Sequence, residues 1–189
     1  MYKRQVITVA GASLPLSGQV IRGGAGPIAG ATVVLEQRPG GSTQWSRVGE
    51  VTTDSTGTWR HAVTASVNTT YRVTYPGSYG MWPATSATSA VTVRYAVTVT
   101  PSTTSTTANR AVTFTGTVRP VGAGITASLQ RYTPEGEWVT IQNAAVTASG
   151  SYSISRAFGR GTWNLRVVAA GGGVTNAYGF TAAVRLTVS

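Results

Sequence analysis

The sequence predicts an all-β protein made of two tandem β-sandwiches, and three observations support this prediction. Short stretches rich in Thr and Val alternate apolar and polar residues, which is typical of half-buried strands. Clusters of Gly, Pro, Asn, Asp and Ser separate these stretches at regular spacing. Finally, the second half of the 189-residue chain repeats the pattern of the first half.

The repeat consists of matched segments that keep their order along the chain. The matched pairs are Leu16–Val20 with Phe114–Val118, Leu35–Arg38 with Leu129–Arg131, Trp45–Val48 with Trp138–Ile141, Gly57–Trp59 with Gly150–Tyr152, Thr70–Val73 with Thr162–Leu165, and Val91–Val93 with Leu186–Val188. Such agreement favours two copies of one module over a single large domain. We therefore place the first module at residues 6–94 and the second at residues 95–189.

Each module is predicted to contain seven strands. In the first module they cover Val6–Ala10, Pro15–Ile21, Thr32–Arg38, Trp45–Thr53, Thr58–Thr64, Thr70–Tyr75 and Ala90–Arg94. In the second they cover Ala96–Thr100, Ala111–Arg119, Thr126–Tyr132, Glu137–Ala145, Ser151–Arg156, Thr162–Val168 and Ala183–Val188.

The join between the modules is an unbroken alternating stretch from Val91 to Thr100 without a flexible linker. This continuity predicts limited hinge freedom and a stiff, elongated rod. Residues 1–5 look like a translated sequencing-adapter remnant and are interpreted as non-native, which fits their holding Lys3, the only lysine of the chain.

The composition excludes several classes of function. No cysteine is present, so disulfides, thiol catalysis and thiolate metal sites are excluded. No apolar run is long enough for a membrane span, and an export signal is expected upstream of this chain. The net charge of +10 comes from scattered arginines, which fits Arg-for-Lys usage and weak attraction to anionic surfaces. Specific recognition of nucleic acid is not expected, since no basic stripe is concentrated in the sequence.

The strand motifs resemble a known repeat. Leu129–Arg131 (Leu-Gln-Arg), Trp45–Val48 (Trp-x-x-Val) and Thr70–Arg72 (Thr-Tyr-Arg) are similar to an immunoglobulin-like module of secreted and cell-wall-associated actinobacterial proteins. The resemblance implies two tandem immunoglobulin-like (Greek-key) β-sandwiches in an extracellular or cell-surface setting. It also implies that the modules act as a spacer or an interaction unit. We expect the chain to be a monomeric fragment of a larger protein.

The reactive side chains predict neither an enzyme nor a cofactor or metal site. His61 is the only histidine, and its place in a predicted strand favours a solvent-facing or hydrogen-bonded role. Asp54 is expected to organise a hairpin turn. Glu135 and Glu137 flank Gly136, which indicates a solvated turn, with a loose calcium site as the alternative.

The aromatic residues fall into two groups. Trp45, Trp138, Tyr71 and Trp163 occupy matched positions and are interpreted as core or inter-sheet packing. The loop at residues 75–83 instead carries Tyr79, Met81 and Trp82, whereas its counterpart at residues 169–178 is rich in glycine. Trp82 either caps the core or packs on the neighbouring module, or else it forms a glycan site with Tyr79 and Met81.

The sequence and the resemblance together predict one of two functions. The first is a non-catalytic extracellular spacer or anchor that touches an anionic cell-wall polymer or polysaccharide through its arginines. The alternative is a carbohydrate-binding or adhesive module centred on the aromatic loop 75–83.

Overall fold

The computed structural model describes residues 6–78, 80–171 and 176–189, and these residues form strands and turns without a helix. Within these ranges, nothing resembles a membrane-spanning helix. The chain divides into two compact units, the first ending at Val93 and the second beginning at Arg94.

The first unit consists of one large and one small sheet. Its strands are β1 (Val6–Val9), β2 (Ser13–Gln19), β3 (Ile21–Arg22), β4 (Gly26–Pro27), β5 (Thr32–Pro39), β6 (Ser46–Thr52), β7 (Thr58–Thr64), β8 (Thr69–Tyr75), β9 (Ala84–Thr85) and β10 (Ser89–Arg94). The last residue of β10, Arg94, is also the first residue of the second unit. The large sheet has the order β1-β10-β8-β5-β6, with β9 beside β8. The small sheet pairs β2 with β7, and β3 and β4 form a short hairpin.

The second unit repeats this plan. Its strands are β11 (Ala96–Val97), β12 (Thr100–Pro101), β13 (Ser105–Thr106), β14 (Ala111–Arg119), β15 (Ile125–Tyr132), β16 (Trp138–Ala145), β17 (Ser151–Ala157), β18 (Gly161–Gly171), β19 (Gly179–Phe180) and β20 (Val184–Val188). The large sheet has the order β13-β20-β18-β15-β16, with β19 beside β18. The other sheet has the order β11-β14-β12, with β17 beside β14.

Both units have the immunoglobulin-like Greek-key topology. In the second unit the chain crosses from β14 to β15 in the opposite sheet, returns at β17, and crosses again to β18. Strands β2, β5, β7 and β8 make the same crossings in the first unit. The predicted fold class of tandem immunoglobulin-like sandwiches is therefore confirmed.

Each unit has its own apolar core between its two sheets. Val33 and Leu35 of β5 pack with Val91 and Val93 of β10 in the first unit. Phe114, Leu129 and Leu186 belong to the core of the second unit. Inward and outward residues alternate along each strand, which is why the sequence pattern revealed the long strands.

The long strands agree with the sequence prediction, but two details differ. The predicted strand Ala96–Thr100 is interrupted and becomes β11 and β12. At the interruption the Thr98 N–H donates to the Thr117 carbonyl oxygen, but the Thr117 N–H donates to the side-chain hydroxyl of Thr98. The short strands β3, β4, β9, β13 and β19 were not predicted.

The matching of Tyr71 with Trp163 is wrong. Tyr71 of β8 faces Gln37 of β5, and in the second unit Leu165 faces Arg131 at the same place in β15. Arg72 therefore corresponds to Arg166, two residues later than the sequence comparison placed it. A slip of two residues preserves the inward–outward alternation, so the pattern alone does not reveal it.

Candidate functional site

The loop at residues 75–83 leaves the first unit between β8 and β9. Ser78 and Met81 exchange both backbone hydrogen bonds, at 3.1 and 2.8 Å. Gly80 has a φ of +79°, a conformation that glycine adopts readily. Tyr79, one of the three predicted site residues, lies outside the described residues.

Met81 and Trp82, the other two predicted site residues, differ in exposure. The Tyr75 hydroxyl donates to Ser78 Oγ at 2.7 Å, and Met81 Sδ lies 4.0 Å from the same hydroxyl. Met81 is partly buried, whereas Trp82 is 90% exposed. The capping interpretation of Trp82 is wrong, because a side chain this exposed covers no core.

A shallow depression of about 330 Å³ lies beside Trp82. Met81 and Trp82 form one part of its wall, and Ile21 and Arg22 of β3 form another. Ile21 is itself 65% exposed. The depression thus combines an open indole, an aliphatic side chain and one cation, a combination that suits a sugar ring.

A second cavity, an apolar groove of about 410 Å³, lies between β2 and the β8–β9 pair of the first unit. Its walls include Leu16, Val20, Trp59 and Tyr71. In the second unit the equivalent space holds β11, which pairs with β14 and places the buried ring of Tyr95 against the core. The groove therefore marks a position that β11 fills in the second unit and that no strand among the described residues fills in the first.

The titratable residues singled out in the sequence lie in separate turns and strands. The Thr56 hydroxyl donates to Asp54 Oδ1 at 2.6 Å, and the backbone amides of Thr58 and Thr56 donate to the same oxygen at 3.0 and 2.8 Å. These hydrogen bonds, above all the one from the Thr56 hydroxyl, lower the pKa of Asp54. Its predicted turn is confirmed, with Gly57 at a φ of +73°. His61 lies in β7, partly buried and facing Leu16 across the pair.

The turn at Glu135–Glu137 is also confirmed. Thr133 N donates to Glu137 O at 2.8 Å, and Gly136 has a φ of +86°. Hydrogen bonds from its own backbone and from Thr133 lower the pKa of Glu135. In the described part of the chain, no three acidic or imidazole side chains converge on a point where a metal ion would bind.

The four aromatic residues interpreted as packing separate into two pairs. Tyr71 is buried in the first core, and Trp163 packs against the second core with its ring 5.4 Å from that of Phe158. Trp45 and Trp138 do not belong to a core. They lie half-buried on the outer faces of the large sheets, where arginines cover them.

In the first unit, Trp45 is covered by two guanidinium groups. The guanidinium carbons of Arg72 and Arg38 lie 4.2 and 5.0 Å from its ring centroid. Arg72 Nε donates to Glu36 Oε2 at 2.7 Å. This bond lowers the pKa of Glu36, while burial opposes the shift.

In the second unit, a longer set of residues follows the outer face, which we call the arginine–aromatic strip. It consists of Tyr132, Trp138, Arg166, Phe180, Arg94 and Tyr178. The guanidinium carbon of Arg166 lies 4.3 Å from the Trp138 centroid and 5.1 Å from that of Phe180. The guanidinium carbon of Arg94 lies 5.5 Å from Phe180 and 5.7 Å from Tyr178. Desolvation lowers the pKa of Arg166, and the nearby Tyr178 opposes that shift.

Two features of the sequence hid the arginine–aromatic strip. The two-residue slip hid the correspondence of Arg72 with Arg166, and β19, which carries Phe180, is only two residues long. Four arginines of the first unit also lie in different places. Arg38 and Arg72 meet at Trp45, Arg47 pairs with Glu50 at 2.7 Å, and Arg60 lies on β7 in the other sheet. A search for aromatic residues flanked by arginine on adjacent strands would have found both clusters.

Comparisons with known proteins give only distant likenesses. No protein-family model and no curated protein matches the sequence. A tetra-tandem repeat from the extending region of a large adhesion protein is 16% identical, with a TM-score of 0.40, over 91% of this chain and 45% of that chain.

Two further solved structures are similar at the same level. An ICAM-5 ectodomain fragment is 15% identical with a TM-score of 0.42, over 97% of this chain and 51% of that chain. The Yersinia pseudotuberculosis adhesin InvE is 14% identical with a TM-score of 0.37, over 98% of this chain and 56% of that chain. The chain thus spans about half the length of all three structures. At these identities and TM-scores the likenesses support no conclusion about a ligand or partner.

Proposed function

We propose that the chain is a non-catalytic extracellular module that spaces or anchors a larger secreted or surface protein and contacts an anionic cell-wall polymer or polysaccharide. The observation that carries this proposal is the pair of outward-facing arginine–tryptophan stacks, Arg72 on Trp45 and Arg166 on Trp138. They occupy equivalent places on the two large sheets. A stacked guanidinium on an open sheet face is suited to contact with an anionic surface.

The net charge of +10 supports the same partner class. Attraction of this kind acts over the Debye length, which shrinks from about 10 Å at 0.1 M salt to about 3 Å at 1 M. We therefore expect the full chain to sediment with purified cell wall at low salt and to be released as salt increases. Absence of sedimentation at low salt contradicts wall contact and leaves a spacer.

A second candidate function, carbohydrate binding at the aromatic loop, is favoured by the 90% exposure of Trp82 beside the depression at Ile21 and Arg22. If this loop binds glycans, part of the binding persists at high salt, because stacking of an indole on a sugar is not screened.

Trp82→Ala tests the loop directly. We expect this substitution to abolish the salt-resistant binding and to leave the melting temperature nearly unchanged, since the exposed indole makes little packing contact. Val9→Ala is the control, because it removes an exposed apolar side chain from β1 of the same unit, away from both the loop and the arginine–tryptophan stack. Salt-resistant binding that survives Trp82→Ala contradicts the loop as a glycan site.

A further inference from the structure

The two copies differ in how the equivalent arginines are compensated. Glu36 neutralises Arg72 in the first unit, at 2.7 Å. In the second unit Arg166 Nε donates instead to the neutral amide oxygen of Gln130, at 2.9 Å. In the ranges that the structure describes, neither Arg166 nor Arg94 lies within salt-bridge distance of a carboxylate. The strip therefore presents two uncompensated positive charges.

These charges are also held in place before any ligand arrives. Arg166 stacks between Trp138 and Phe180, and Arg94 covers Phe180 and Tyr178. A stacked guanidinium has less freedom to lose on binding than a solvated one. Both guanidinium carbons lie within 5.5 Å of the Phe180 centroid, so they are at most about twice that distance apart. One short stretch of a polyanion can therefore reach both.

The aromatic rings distinguish between classes of polyanion. Single-stranded nucleic acids bind by stacking bases on open ring faces, but guanidinium groups already cover faces of Trp138 and Phe180. Exposed apolar surface remains at the ends of the strip, on Tyr132 at 46% exposure and on Tyr178, which Arg94 covers in part, at 55% exposure. Sugar rings can pack their C–H faces on such tyrosines. At the same time, their acidic groups can accept hydrogen bonds from the terminal guanidinium nitrogens.

We propose that the arginine–aromatic strip of the second unit binds an acidic polysaccharide, a sugar chain that carries carboxylate or sulfate groups. This inference rests on the proposed function, because it identifies the surface that contacts the anionic polymer. The Trp45 cluster of the first unit contributes less, since Glu36 neutralises Arg72 and would repel a ligand carboxylate.

The test uses the full chain and three soluble probes: polygalacturonate, neutral dextran and single-stranded poly(dT). We expect saturable binding of polygalacturonate, measured by isothermal titration calorimetry at low salt, and no binding of dextran. Arg166→Gln should weaken polygalacturonate binding by about tenfold or more, because it removes charge-assisted hydrogen bonds.

A matched pair of charge variants separates the strip from total charge. Gln130→Glu supplies Arg166 with the carboxylate that Arg72 has in the first unit and leaves the arginine and its stacking in place. We expect it to weaken binding by about tenfold. Ser153→Glu places the same charge on β17 in the opposite sheet, where Ser153 is exposed. It should weaken binding by less than about twofold, as expected for one distant, screened charge. Thermal unfolding of each variant verifies that it is folded.

Two results overturn the inference. The first is equal weakening by Gln130→Glu and Ser153→Glu, which assigns binding to net charge alone. The second is tighter, Arg166-dependent binding of poly(dT), which assigns the strip to nucleic acid. If polygalacturonate binds at the strip but the chain does not sediment with cell wall, only the proposed wall contact is contradicted. If variants of the strip still bind cell wall, only the assignment of binding to the strip is contradicted.

Discussion

At the scale of single residues, one difference between the copies determines where positive charge is left uncompensated. Glu36 and Gln130 lie at the same register position, each following a bulge in its strand and facing an arginine of the neighbouring strand. The carboxylate neutralises Arg72, whereas the amide only orients Arg166. Two sheets of the same topology thus present surfaces of different charge.

The Glu36–Arg72 pair predicts a pH dependence of stability. Arg72 lowers the pKa of Glu36 below its ordinary value of 4.5. The folded pKa therefore lies below the unfolded one, so the pair stabilises the fold fully above the unfolded pKa, and this contribution is lost as the pH falls through the folded pKa. We expect Glu36→Gln to flatten the loss of unfolding free energy below about pH 4.5, measured by urea denaturation at several pH values.

Glu137→Gln is the control, because it removes a carboxyl group from an exposed turn. If Glu36→Gln and Glu137→Gln change the acid limb of the stability curve equally, the Glu36–Arg72 pair has no special contribution.

At the scale of elements, the alternation of apolar and polar residues predicted the strands that bury one face and missed the strands that do not. The long strands of both sheets alternate apolar and polar residues, so their bounds agree within a few residues. Strands such as β9 and β19 are two residues long and exist because β8 and β18 supply partners. No periodic pattern can reveal an element that short.

The candidate site was only partly predictable. The loop at Met81 and Trp82 was found because its aromatic residues stand among turn residues. The roles of Trp45 and Trp138 were missed because the preference of large aromatic residues for cores is strong. Their outward position depends on arginines from neighbouring strands, and that pairing is set by register rather than by local sequence.

Strand β11 fills the space between β14 and the β18–β19 pair of the second unit. Among the described residues of the first unit, no strand fills the equivalent space. Tyr95 is 3% exposed, and its hydroxyl donates to Gly171 O at 2.8 Å. Tyr152 donates to Thr98 O at 2.6 Å, which ties the same segment to β17. A Cβ added to Gly116 would collide with the Thr98 carbonyl oxygen, so glycine lets the segment approach β14 closely.

Tyr95 is therefore expected to be a major stabilising residue of the second unit. Tyr95→Ala should lower the free energy of unfolding by about 3–5 kcal/mol, because it empties a large buried space. Tyr95→Phe should cost only about 1 kcal/mol, since it removes a single hydrogen bond. Both values are measurable by chemical denaturation. Similar losses for the two substitutions would show that the ring contributes little packing.

At the scale of the whole molecule, two sandwiches of one topology carry different outer surfaces. The first unit presents the exposed Trp82 beside a depression and an open groove. The second presents a row of aromatic rings and guanidinium groups on its large sheet. We propose that ligand contact by this module occurs on that sheet face of the second unit.

The five tryptophans give the most direct measurement of this claim. Each indole N–H gives its own NMR signal, assigned by single Trp→Phe substitutions, and the full chain is titrated with polygalacturonate. We predict that the Trp138 signal shifts most, while that of Trp59, buried in the first core, stays in place. A dominant shift of Trp82 would move the binding surface to the loop, and the absence of any shift would contradict ligand contact at either surface.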